Sequence, residues 1–172
     1  MARAICLRLL TDRPRTRAQL AAALDRRAIP GEVAARVLER FTDVGLIDDE
    51  AFAQAWVDTR HRGRGLARRA LAAELRRRGV DGSTVQAAVD RLDPDVEEQT
   101  ARALVLRRLP STRGLTAAAR TRRLVGLLAR KGYPSGVAFR VVREVLEQEG
   151  DRLDERCWLD GFEDEPQPDV EP

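Results

Sequence analysis

The sequence predicts an all-α protein made of three tandem copies of one three-helix unit, and three observations carry that expectation. The first is a motif that recurs at nearly constant spacing: Leu20-x3-Leu24-x2-Arg27-Ala28-Ile29-Pro30, Leu71-x3-Leu75-x2-Arg78-Gly79-Val80-Asp81 and Leu124-x3-Leu128-x2-Lys131-Gly132-Tyr133-Pro134. The second is an apolar face that follows each copy in register: Ala34, Val37, Leu38 and Phe41, then Val85, Ala88, Val89 and Leu92, then Ala138, Val141, Val142 and Val145. The third is an apolar helical run before each motif. Chance matches between Leu/Ala/Arg-rich helices would not keep all three features aligned twice over.

In the first unit (1–47), Ile5, Cys6, Leu9 and Leu10 form one helical stripe that Asp12-Arg13-Pro14 ends. Thr16-Arg17-Ala18-Gln19 reads as a capping box that opens the second helix. Pro30 falls where a first helical turn tolerates a missing amide, and so does Pro134 in the third unit. Gly45 is placed to take a left-handed conformation after the helix that ends near Phe41. Asp48 can then cap the next helix, with Ile47 stapled to Phe52.

The second unit (48–96) starts with Phe52, Ala55 and Trp56, and the third (97–149) with Ala101, Leu104, Val105 and Leu109. From about residue 150 the pattern stops. Residues 150–172, ending in EDEPQPDVEP, have the charge and proline content of a disordered acidic tail, with Leu153, Trp158 and Phe162 able to tack its start onto the third unit.

Aromatic residues are only 4% of the chain, so its cores must be built from Leu, Val, Ile and Ala, which suits small helices stacked in series. The net charge of +3 conceals an asymmetry. Residues 147–172 hold 11 Asp/Glu against 2 Arg, which leaves 29 Arg/Lys against 17 Asp/Glu on residues 1–146. A basic body suits a nucleic acid or an acidic protein surface. Of its basic groups all but Lys131 are arginine, a bias that a GC-rich genome accounts for as well as selection does.

Cys6 and Cys157 are far apart and lack metal-ligand spacing, so neither a disulfide framework nor a zinc site is expected. The short apolar stretch at the start resembles neither a leader nor a membrane span, and the expected location is cytoplasmic.

Catalytic signals are weak. His61, the sole histidine, lies in the Arg-rich run TRHRGRGLARR without a clear partner for acid–base work. Gly63-Arg64-Gly65 lacks the last glycine of a dinucleotide fingerprint, and no phosphate-binding GxxxxGK[ST] occurs. Asp48-Asp49-Glu50 is accounted for by a helix N-terminus, where carboxylates are favourable, rather than by a metal. The sequence therefore points to a binding protein with no cofactor and no metal.

The densest positive segment runs from Arg60 to Arg78 and contains Arg60, Arg62, Arg64, Arg68, Arg69, Arg76, Arg77 and Arg78, with Glu74 its only acid. A helix from about Leu66 to Arg78 would bury Leu71 and Leu75 and expose arginines beside a flexible basic loop holding Arg62 and Arg64. Arg120, Arg122, Arg123, Arg130 and Lys131 repeat the pattern more sparsely in the third unit. Guanidinium forks match both carboxylates and phosphates. Trp56 is expected to fill the core rather than to stack on a base.

These residues resemble a known family, the RecX regulators of the bacterial RecA recombinase. The resemblance covers about residues 3–149 and is concentrated in Gly45-Leu46-Ile47-Asp48-Asp49, Phe52-Ala53, Trp56-Val57, Gly65, Leu71, Glu74-Leu75 and Arg78-Gly79-Val80. One position departs from it: Ala70 stands where relatives often have a basic residue, with Arg69 one place earlier. The resemblance implies an elongated, curved monomer that binds in the groove of the RecA–DNA filament. It implies inhibition of ATP hydrolysis, strand exchange and coprotease activity, in DNA repair, homologous recombination and the SOS response. It places filament contacts on Arg60, Arg68, Arg69 and Arg76–Arg78. The competing expectation from the residues alone is a helical module that binds DNA directly.

Overall fold

The computed structural model describes residues 1–150. The expected acidic tail and the tacking by Leu153, Trp158 and Phe162 lie outside the described residues. Among those described there are nine α-helices and one 3-10 turn, and no strand. They divide into two compact units, residues 1–93 and the part that begins at Pro94.

The first unit holds α1 (Ala2–Asp12), α2 (Arg17–Asp25), α3 (Gly31–Asp43), α4 (Asp49–Arg64), α5 (Arg68–Arg77) and α6 (Gly82–Asp90). Helices α1–α3 enclose a core of Cys6, Leu20, Leu24, Leu38, Phe41 and Ile47. Helices α4–α6 enclose a second, of Ala53, Val57, Leu71, Leu75, Val80, Val85 and Val89. The predicted staple does not join one core: Ile47 packs into the first, whereas Phe52 lies against the second.

The second unit is α7 (Pro94–Arg108), a 3-10 turn (Leu109–Thr112), α8 (Ala117–Arg130) and α9 (Ser135–Gln148), packed around Leu104, Val105, Leu124, Leu128, Val141 and Val145. Because α7 begins at Pro94, where the fixed φ of proline suits a first turn, the residue-97 start read from the repeat falls inside this helix.

Each repeat turns between its second and third helices in the same way. The amides of Ile29, Val80 and Tyr133 donate to the carbonyls of Leu24, Leu75 and Leu128 at 3.2, 3.2 and 3.1 Å. This six-to-one bond, with a left-handed residue before it, is the Schellman closure. The left-handed residue is Ala28, Gly79 or Gly132, with φ of 53°, 77° and 89°. Two residues after it, Pro30, Asp81 and Pro134 are the N-caps of α3, α6 and α9, one place ahead of the first-turn position expected for the prolines.

The capping box at Thr16 is complete: the Gln19 amide donates to Thr16 Oγ1 at 3.1 Å, and Gln19 Oε1 accepts from the Thr16 amide at 3.2 Å. Gly45 has φ 71° and Asp48 Oδ1 accepts from the Ala51 amide at 2.8 Å, as the sequence predicts. Within the first unit, the two repeats are joined where α2 begins. Thr16 Oγ1 donates to the carbonyl of Arg78 at 2.6 Å, and the Arg17 amide donates to Asp49 Oδ1 at 2.9 Å.

Candidate interaction surface

The basic segment is helical where a loop was expected. Helix α4 continues through His61, Arg62 and Arg64, and Gly65 closes it in the left-handed conformation at φ 63°. Cationic side chains in a last turn are favoured by the partial negative charge of the helix end, which explains why these residues extend the helix. Buried His61 locks the corner, its Nδ1 lying 2.9 Å from the Leu66 carbonyl oxygen. Helix α5 then starts at Arg68, two residues later than the expected Leu66, after a link in which Gly65 and Ala67 are buried.

The structure separates the predicted arginines into two groups. Leu71, Ala72 and Leu75 bury one face of α5, and Arg69, Arg76 and Arg77 stand exposed away from it, as does Arg62 at the end of α4. These four form no ion pair among the described residues. Arg64 is exposed too, although it has an internal interaction.

The other group is engaged in the fold. A terminal nitrogen of half-buried Arg68 donates to the carbonyl of Leu92. The guanidinium carbons of Arg60 and Arg78 sit over the Trp56 ring, 4.2 and 3.7 Å from its centroid. Trp56 Nε1 donates to Glu74 Oε2 at 2.8 Å, and Arg60 Nε lies 3.9 Å from the same oxygen. Trp56 is half-buried against the second core with Phe52 stacked beside it at 5.8 Å, so it is only partly the core residue expected. Burial lowers the pKa of Arg78; Glu74 opposes that, and the like charges of Arg60, Arg77 and Arg13 add to it.

In the third repeat Arg122, Arg123 and Arg130 are exposed and Lys131 is half-buried. Arg120 is only 6% exposed. Its Nε donates to Thr112 Oγ1 at 3.2 Å and a terminal nitrogen donates to Glu149, which Arg113 also approaches to 3.6 Å. The hydrogen bond from Arg120 holds the Glu149 carboxyl below its usual range; desolvation works against this and the charges of Arg120 and Arg113 reinforce it.

No group of three or more His, Cys, Asp or Glu side chains able to hold a metal occurs among the described residues, and none of the described helices is long and apolar enough to cross a membrane. What this surface offers is a set of exposed guanidinium groups at the end of α4 and along α5. Pairing of Arg60 and Arg78 with Trp56 was not read from the sequence, although the i,i+4 spacing of Trp56 and Arg60 was a usable signal.

Family models describing the first, second and third three-helix domains of RecX match residues 2–41, 48–89 and 95–142. The chain belongs to the RecX family. A regulatory protein RecX from Thermobifida fusca is 66% identical over 153 residues, covering 89% of this chain and 83% of that one. Another, from Streptomyces coelicolor, is 63% identical over 150 residues, covering 87% and 80%. The crystal structure of RecX from Lactobacillus salivarius superposes with a TM-score of 0.78 at 16% identity, over 83% of this chain and 93% of that one. At such identity the RecX likeness in structure speaks for the three-repeat fold alone, while the Thermobifida and Streptomyces relatives, by name, are regulatory proteins.

Proposed function

We propose that this chain is a non-enzymatic negative regulator of a RecA-type recombinase, acting in the cytoplasm as a monomer. It binds in the groove of the RecA–DNA filament and inhibits ATP hydrolysis, strand exchange and coprotease activity, and so restrains homologous recombination, DNA repair and the SOS response. Membership of the RecX family supports the regulatory role. The observation that carries the contact surface is the set Arg62, Arg69, Arg76 and Arg77, exposed on α4 and α5 and without carboxylate partners among the described residues. Guanidinium groups left in water in this way keep their full capacity for bidentate pairing with carboxylates of the recombinase or phosphates of its DNA. Arg122, Arg123 and Arg130 extend the same chemistry into the third repeat.

The test is the fourfold Arg→Gln variant at positions 62, 69, 76 and 77, assayed for inhibition of recombinase ATPase and for co-sedimentation with filaments. Helical content is expected to be retained and inhibition lost. Full inhibition by this variant would remove the surface from the reading.

Direct DNA binding is the second reading, because the same exposed arginines suit a phosphate backbone. It requires a mobility shift with free DNA in the absence of recombinase, with a steep dependence on salt. Tight filament binding with weak free-DNA binding favours the first reading.

A further inference from the structure

Within the first unit, the joint between the first two repeats leaves an open cleft of about 600 Å³, whose lining includes none of Arg62, Arg69, Arg76 and Arg77. Leu10, Leu46, Phe52 and Trp56 supply most of its apolar lining, and Arg13, Arg15 and Arg60 its cations, of which Arg15 is tied to the Leu9 carbonyl and to Asp12. Leu46 is 47% exposed, although it directly follows a helix-closing turn, where a large apolar residue usually packs back on its own helix. The turn is made: the Leu46 amide donates to the Phe41 carbonyl at 2.8 Å, with Gly45 left-handed before it. Leu46 therefore forms part of the cleft instead of sealing the first core.

The charge beside this apolar floor is predominantly positive. Arg78 lies close enough to Arg60, Arg77 and Arg13 to be affected by all three, with Glu74 the counter-ion among the charges acting on it. Asp12, the partner of Arg13 at 3.7 Å, is as exposed as Arg13 itself, at 69%, and compensates weakly through water. Asp48, also in the lining, has its carboxylate committed to the α4 cap.

We infer that this cleft binds an acidic peptide segment, one bulky apolar side chain of which fills the space between Leu46 and Trp56 while a flanking carboxylate pairs with Arg13. A nucleic acid fits it less well. The Trp56 ring already carries the guanidiniums of Arg60 and Arg78 and so is not a free stacking platform for bases. The volume is in the range of sites that take a few side chains of a ligand.

The probe is a short fluorescein-labelled peptide with one Phe and one Leu among Asp, Glu, Gly and Ser, titrated into the full chain without recombinase, so that the outcome is separate from the filament reading. Control ligands have the Phe and Leu replaced by Ser, or the acids replaced by their amides; a thymidine oligonucleotide serves as competitor. We expect saturable binding that weakens about tenfold or more in L46S and in R13Q, with melting curves unchanged, and is unaffected by R122Q. Loss of either the acids or the apolar anchors should weaken the peptide similarly. Four results overturn the inference: no binding, equal binding by L46S, equal binding of the peptide lacking Phe and Leu, or preferential occupation by the oligonucleotide. Dimerisation of the chain abolished by L46S without peptide binding would instead assign the cleft to a second copy.

Discussion

Gly79 shows how far one residue governs the first unit. Its φ of 77° favours glycine, and a Cβ placed there would come within 2.3 Å of the Ala18 Cβ across the joint between repeats. Gly79→Ala is therefore expected to cost about 2 kcal/mol or more, from the left-handed conformation and the overlap together, read as a lowered midpoint in urea or heat. The corresponding position in the first repeat is occupied by Ala28 at φ 53°. Ala28→Gly relieves that strain, and about 1 kcal/mol of stabilisation is expected in the same measurement. Glu149 supplies a second residue-scale prediction. Its carboxyl is held below the ordinary range, first by the Arg120 hydrogen bond, so the folded state binds its proton less readily than the unfolded chain. The resulting stabilisation is present above the unfolded carboxylate pKa and lost as pH falls through the lower folded value. Glu149→Gln should flatten that part of the acid limb of the melting-temperature profile, and an unchanged limb would contradict this role.

At the scale of elements, the same helix–turn–helix unit recurs because the same backbone closure recurs, from Leu24 to Ile29, Leu75 to Val80 and Leu128 to Tyr133. The spacing of those leucines made the elements legible in the sequence, since apolar residues four apart must share a helical face. Local rules also located the Thr16 box and the Asp48 cap, whose partners lie within three residues. They failed at Arg62 and Arg64, which were expected in a loop before the helix, whereas the C-terminal dipole and the Gly65 cap keep α4 intact through both. They could not show that Thr16 also reaches Arg78, 62 residues away. Thr16→Val removes both the α2 cap and that contact, leaving the half-buried Gln19 amide and Arg78 carbonyl short of partners. A loss of about 2 kcal/mol is expected by chemical denaturation, larger than for an ordinary exposed cap.

For the whole molecule, the relevant quantity is the distribution of charge over the chain. Residues 1–146 have a strong arginine excess, but each arginine contributes to binding only if the fold has not already used it. Arg120 is buried on Glu149, Arg60 and Arg78 lie over Trp56, and Arg68 is bonded to Leu92. Within the Arg60–Arg78 segment, the exposed Arg62, Arg69, Arg76 and Arg77 are therefore expected to carry the ionic-strength dependence of the proposed filament binding. The fourfold Gln variant is expected to bind with a visibly shallower salt slope, whereas Arg120→Gln should lower the melting temperature and leave the slope unchanged. Equal slopes for wild type and the fourfold variant would locate the electrostatic contact elsewhere.

The all-α class, the threefold repetition and most helix ends are properties of the sequence by itself, because each depends on periodicity or on hydrogen bonds spanning a few residues. The basic character of the Arg60–Arg78 segment is equally a matter of composition. Only the tertiary structure decided which of its arginines meet solvent and which are held by Trp56, Glu74 or the Leu92 carbonyl. Those partners lie from four to some two dozen residues away, and for guanidinium groups of identical chemistry their positions in space, rather than the run of charge, settle what remains available to bind.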